Sequence, residues 1–213
     1  MGESEKKRYV EALYHADNAV QFYEETVGEY EEGVREGGYR GPEMLIDVCL
    51  RHLQKHDKIL DIGCGTGLVG EMLRSHGFKD VHGLDGSVKM LHEARRKNIY
   101  RTYTCEVLEP QLKSQIKAGS FDAVIAVGVF CPGHLNADHL TMLIKMVRSK
   151  GKFIIALREC FSSLKSPTQQ SPLHVKDRLL DLEQQKVITR LEWTRAPNFV
   201  YGEDGLQIAY QVN

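Results

Sequence analysis

Asp61-Ile-Gly63-Cys-Gly65-Thr-Gly67 sets a carboxylate two residues ahead of three alternating glycines. A second acid, Asp85, follows Gly65 by twenty residues and closes the apolar run Val81-His82-Gly83-Leu84. A carboxylate at the end of the next parallel strand can accept both ribose hydroxyl protons in a bidentate hydrogen bond. Glycines let a ligand press against backbone without Cβ interference, and Ile59, Leu60 and Ile62 before them read as a buried strand. Leu68 to Leu73 begin an amphipathic helix, so the whole unit suits a nucleoside-containing ligand. Gly65-Thr-Gly67-Leu-Val-Gly70 also matches the Gly-x-Gly-x-x-Gly turn of nicotinamide-binding sheets, so the glycines alone leave two cofactor classes open. Asp61 is expected to separate them. At the end of the first strand its carboxylate would repel a pyrophosphate and, with the carbonyl of Gly63, attract a cationic amino group.

The acid-x-Gly-x-Gly-x-Gly pattern at Asp61, Gly63, Gly65 and Gly67 resembles the first motif of the class I methyltransferases that use S-adenosylmethionine. The likeness runs from about Tyr14 to the C-terminus, and Phe22-Tyr23 through Gly38-Tyr39-Arg40-Gly41-Pro42 looks like a methyltransferase-like subgroup of that class. The resemblance implies S-adenosyl-L-methionine as cofactor and S-adenosyl-L-homocysteine as product; it implies no acceptor. Under it, Glu106 after the third strand resembles the acid beside the adenine amino group, with Val107 over the ring; an ordinary solvated glutamate is the alternative. Val127, at the end of the fourth strand, joins the cofactor-binding set. Tyr14, Tyr23, Tyr30 and Tyr39 could lay aromatic faces on the sulfonium, each worth roughly 0.5 to 2 kcal/mol when desolvated. Their helices would then fold over the cofactor as a lid, the hydroxyls holding its methionine end. The alternative is an amphipathic helix packed on the sheet. Where comparable small-molecule methyltransferases often carry Trp in this helix, this chain has Thr26.

Val127-Gly128-Val129-Phe130-Cys131-Pro132-Gly133-His134 lacks the Asn- or Asp-Pro-Pro-aromatic signature of amino-directed nucleic-acid methyltransferases. Cys131 precedes its proline, reversing the order of the cytosine C5 enzymes and disfavouring a covalent thiolate. His134 is the candidate general base, with a structural histidine as the alternative. Displacement at a sulfonium methyl needs little acid-base help from a thiol, amine or activated hydroxyl. Alignment and water exclusion can supply about 7 to 11 kcal/mol.

These residues need a scaffold. Strands are predicted at 58–62, 80–84, 101–107, 122–127, 152–157, 187–194 and 205–212, and helices at 10–32, 42–53, 67–76, 87–97, 136–148 and 172–185. Five strands alternating with helices give an α/β fold with a doubly wound, Rossmann-like, mostly parallel sheet of seven strands. The last two strands, joined by a Gly-Glu-Asp-Gly turn, are an antiparallel pair closing one edge. The 213 residues, 42% hydrophobic, suit a single domain: a helical cap over 1–57 and an α/β core over 58–213. Ser162 to Pro172 reads as a loop walling the substrate.

A net charge of −1 argues against avid nucleic-acid binding, and Arg95-Arg96-Lys97 reads as a helix-end decoration that complements the dipole. Five dispersed cysteines suggest reduced cytosolic thiols, and His52 and His56 lack a third ligand, so no metal is expected. No apolar run suits a membrane span or secretory signal, which points to the cytoplasm. A monomer acting on a small molecule, or on an exposed protein side chain, is the leading reading. The competing readings are a nicotinamide-dependent reductase, disfavoured by the absence of a Tyr-x-x-x-Lys pair, and a module that binds the cofactor without turnover.

Overall fold

The computed structural model describes residues 19–162 and 174–213. Seven strands form one sheet in the order β3-β2-β1-β4-β5-β7-β6. They are β1 (Lys58–Ile62), β2 (Asp80–Asp85), β3 (Tyr103–Cys105), β4 (Phe121–Val127), β5 (Val147–Arg158), β6 (Ile188–Val200) and β7 (Glu203–Val212). The pairs β1–β2, β1–β4, β2–β3 and β4–β5 are parallel, and β7 runs antiparallel to both β5 and β6.

The central strands are apolar on both faces because helices cover both. Leu60, Ile62, Val124, Phe153 and Ile155 join one core, whereas Ile59, Ile125 and Ile154 join the other, as the two-residue period of a strand demands. Helices α5 (Ala137–Met146) and α6 (Val175–Gln184) supply Leu140, Leu143 and Leu179 to the first core. Helices α2 (Gly41–His52), α3 (Leu68–Ser75) and α4 (Val88–Lys97) cover the second. Helix α1 (Ala19–Glu36) lies outside both, with only Ala19 and Gly33 buried.

Local signals explain several boundaries. Pro42 occupies the first turn of α2, where its missing N–H costs no bond. Ser87 caps α4 by accepting from Met90 N–H, and Asn136 with His139 forms a capping box on α5.

The structure also revises the sequence expectations. The hairpin turns at Tyr201-Gly202, not over Gly202–Gly205, because both residues take positive φ (51° and 77°), as a two-residue primed turn requires. β6 and β7 are correspondingly longer, and residues placed in a loop at 195–200 are strand. β3 keeps only three residues because its sole neighbour, β2, ends at Asp85 opposite Cys105. The crossover from β3 to β4 contains no helix. The cap is narrower than 1–57: Leu45, Val48 and Cys49 of α2 are fully buried in the second core, which leaves α1 as the covering element among the described residues. Residues 10–18 of the first predicted helix, and nearly all of the Ser162–Pro172 loop, lie outside the described residues. No helix among those described is long and apolar enough to cross a membrane.

Candidate functional site

The C-terminal ends of β1, β2, β4 and β5 open into a cavity of about 220 Å³ whose far wall is α1. This is where an open α/β sheet offers exposed turns around a topological switch point. Gly63, Gly65 and Gly67 all adopt left-handed φ (64°, 53° and 94°), so the turn is closed to ordinary side chains. The three glycines serve different ends. A Cβ at Gly63 would collide with Val129 and one at Gly67 with Ile99, whereas at Gly65 it would meet open space. Gly63 and Gly65 line the cavity; Gly67 caps α3 and stays out of the wall.

Asp85 enters the cavity wall already anchored. One carboxylate oxygen accepts the Gly65 N–H and the other the Ser87 N–H, each at 2.8 Å. A carboxylate can accept about four hydrogen bonds, so capacity for two hydroxyl donors remains. Burial pushes its pKa up, against the backbone donors of Ser87, Gly65 and Gly86.

Asp61 departs from expectation. The β1 pleat sends it to the Ile59 side of the sheet, where it is 1% exposed and accepts the Tyr100 hydroxyl at 2.6 Å. It does not line the cavity. Burial, reinforced by the Asp85 charge and opposed by the Tyr100 hydrogen bond, pushes its pKa up to about 7. Direct attraction of a ligand ammonium by Asp61, used above to disfavour a pyrophosphate, therefore has no geometric basis here.

Tyr23, Tyr30 and Tyr39 line the cavity, and Tyr14 lies outside the described residues. The Tyr23 and Tyr30 rings meet edge to face at 5.9 Å, and Tyr39 meets Phe199 at 5.4 Å. Val107 and Val127 are in the wall, as is Glu106, whose two carboxylate oxygens accept one N–H, that of Gln115, at 3.1 and 3.2 Å. His134 stands in the cavity wall, with Nδ1 3.0 Å from the Pro132 carbonyl and Nε2 3.0 Å from the Tyr23 hydroxyl. Burial lowers its pKa, against the Pro132 hydrogen bond. Cys131 is buried with its thiol directed at the Gly128 carbonyl, and burial pushes its pKa up, which fits an inert thiol.

Two features escaped the sequence reading. Arg158, directly after the apolar run of β5, lines the cavity, pairs with Glu203 and stacks on Phe161 at 4.9 Å. The end-of-strand rule points to it, but its Glu203 partner, on the adjacent strand β7, lies 45 residues along the chain. The second is the fastening of α1. Glu24 accepts from the Ser87 hydroxyl (2.7 Å) and Lys89 N–H (3.0 Å) at the start of α4, bonds that hold its pKa below the usual carboxylate range. At the other end Lys97 reaches both Glu31 of α1 and Glu71 of α3 at 2.6 Å, so this lysine clamps the roof rather than decorating a helix end.

A seven-stranded sheet of this order, reversed only at β7 and opening a cavity at the glycine turn with Asp85 in its wall, has the fold of the solved methyltransferase structures it superposes on. Residues 59–151 match the family model described as a methyltransferase domain. The chain thus carries a methyltransferase-domain segment over residues 59–151 within a sheet of methyltransferase-like fold. It is 37% identical over 128 residues to human "Methyltransferase-like protein 27", a match covering 58% of this chain and 51% of that protein. The chain spans about half the length, or less, of the curated relatives it matches. Among solved structures, a chain of the complex between the Haloferax volcanii Trm112 methyltransferase activator and a methyltransferase superposes with TM-score 0.67 at 14% identity. That match covers 91% of this chain and 97% of that one. A Thermotoga maritima SAM-dependent methyltransferase gives TM-score 0.62 at 18% identity, covering 90% and 98%. At these identities the structural matches speak for the fold alone.

Proposed function

We propose that this chain transfers a methyl group from S-adenosylmethionine to a small molecule bound between α1 and the ends of β4 and β5. The observation that carries the reading is the anchored Asp85 beside the open face of Gly65, under a helix that narrows the entrance. When bound, the cofactor supplies an electrophilic methyl on a cationic sulfur. Gly65 would admit its backbone-hugging portion, Asp85 would accept the ribose hydroxyls, and Glu106 and Val107 would flank the base. The faces that Tyr23, Tyr30 and Tyr39 turn to the cavity would attract a cation by roughly 0.5 to 2 kcal/mol each. Transfer then depends chiefly on alignment and exclusion of water.

A roof fastened at Glu24 and Lys97 favours an acceptor small enough to enter beside His134 and Arg158 over an exposed protein side chain.

The test uses methyl-tritiated S-adenosylmethionine with desalted extracts divided into metabolites and proteins. Label is expected in the metabolite fraction. Label confined to protein would replace the small acceptor by a side chain, and a protein that binds cofactor yet labels neither fraction would contradict turnover.

A further inference from the structure

Tyr23 and His134 are 111 residues apart in the chain and meet in the cavity wall. The Pro132 carbonyl can only accept, so at 3.0 Å it fixes the proton on Nδ1 of a neutral His134. Nε2 is then a bare acceptor, and its partner at 3.0 Å is the Tyr23 hydroxyl, which must be the donor. The ring planes cross at 72° with centroids 5.5 Å apart, so the pair is held by edge contact as well as by the hydrogen bond. Leu135 N–H and His134 N–H bond to Val129 and Cys131 carbonyls, which fixes the loop that presents the imidazole. On the other side, Tyr23 rides on the roof helix whose position is set by the Glu24 bonds one residue further on.

We propose that Tyr23 and His134 form a proton relay for an acceptor whose nitrogen or oxygen still carries its proton at neutral pH. This rests on the methyltransferase reading above and extends it to an acceptor class, an alkylamine or hydroxyl rather than a carboxylate or thiolate. The balance is simple. The acceptor's N–H or O–H proton passes to the Tyr23 oxygen while the Tyr23 proton passes to His134 Nε2. The acceptor lone pair forms the new bond to carbon, and the electrons of the broken carbon–sulfur bond stay on sulfur. His134 ends as imidazolium with Nδ1–H still on Pro132, and returns its proton to water after product leaves. Carboxylate and thiolate nucleophiles need no such step, so the relay would speed only acceptors that must lose a proton.

Three measurements test the relay. First, nitrogen-15 histidine spectra of the free protein should show His134 as the Nδ1–H tautomer at neutral pH; an Nε2–H tautomer would overturn the relay whatever the acceptor. Second, at saturating S-adenosylmethionine, and so whatever their effect on its affinity, Y23F and H134N should lower transfer to the labelled metabolite fraction about 100-fold or more. Third, that deficit should shrink as pH rises toward the acceptor's own pKa, because free base no longer needs a relay; a purely structural tyrosine would leave the deficit independent of pH. Unimpaired transfer by Y23F would overturn the tyrosine's part. Wild-type protein that binds cofactor but labels nothing would overturn the methyltransferase reading instead.

Discussion

Replacing Asp85 by Ala is expected to weaken S-adenosylmethionine binding by about 2 kcal/mol or more, roughly thirtyfold. Two losses combine. The ribose hydroxyls lose their charged acceptor, and the Gly65 and Ser87 N–H groups lose the oxygens that hold them at 2.8 Å. The second loss loosens both the glycine turn and the entry to α4, so part of the effect is disorder of the cradle. Asp85→Asn separates the two. Its amide keeps one accepting oxygen but presents an NH2 to a backbone donor, so affinity should fall between wild type and Asp85→Ala. Calorimetric titration of the three proteins, each first shown folded by its thermal transition, measures this ordering. Unchanged affinity in Asp85→Ala would remove the ribose assignment.

Asp61→Asn is expected to have an effect of similar size and opposite sign on stability. An unfolded aspartate titrates at 3.8, whereas burial lifts the folded value to about 7. Between these pH values the folded chain keeps a proton that the unfolded chain releases, so this residue's contribution declines as pH rises from about 4 to about 7. Above pH 7 the full cost of holding an ionised carboxylate in the core is present. Asn keeps the oxygen that accepts from Tyr100 at 2.6 Å and carries no charge. The substitution should therefore stabilise the ligand-free protein at pH 8 by on the order of 2 to 4 kcal/mol, with little difference near pH 4. Urea unfolding at both pH values checks it. A variant less stable than wild type at pH 8 would mean that the charged Asp61–Tyr100 bond outweighs desolvation.

The parts of this protein legible from its sequence are those written locally. Strand ends at Ile62 and Val127 and helix starts at Ser87 and Asn136 follow from apolar runs and capping residues a few positions apart. That a nucleoside-containing ligand is held was legible too, because a glycine turn and the acid closing the next strand form a compact pattern. Direction and pairing were not. Asp61 sits at the motif position expected of a ligand contact, yet one step of the pleat turns it to Tyr100, a partner 39 residues away. The amphipathic tyrosines of α1 announced a covering helix but not what it covers, because its fastenings to Ser87 and Lys97 span 63 and 66 residues. His134 was a candidate base by residue type alone. Its tautomer depends on the Pro132 carbonyl, and only folding brings the Tyr23 hydroxyl to it. The Tyr201-Gly202 turn was misplaced because tyrosine is rarely read as a left-handed residue, and the longer hairpin it permits carries Phe199 and Val200 into the cavity wall.

The central claim is that the cavity beneath α1 holds an adenosyl sulfonium. With Asp61 turned away from the cavity, the charge argument against a dinucleotide is gone, and binding itself must decide between the two cofactor classes that share a glycine turn. Titrating the purified protein with S-adenosylmethionine, S-adenosylhomocysteine and NADPH side by side is the direct measurement. Saturable binding of both adenosyl ligands, with no heat from NADPH, is the predicted result; binding of NADPH alone would contradict it.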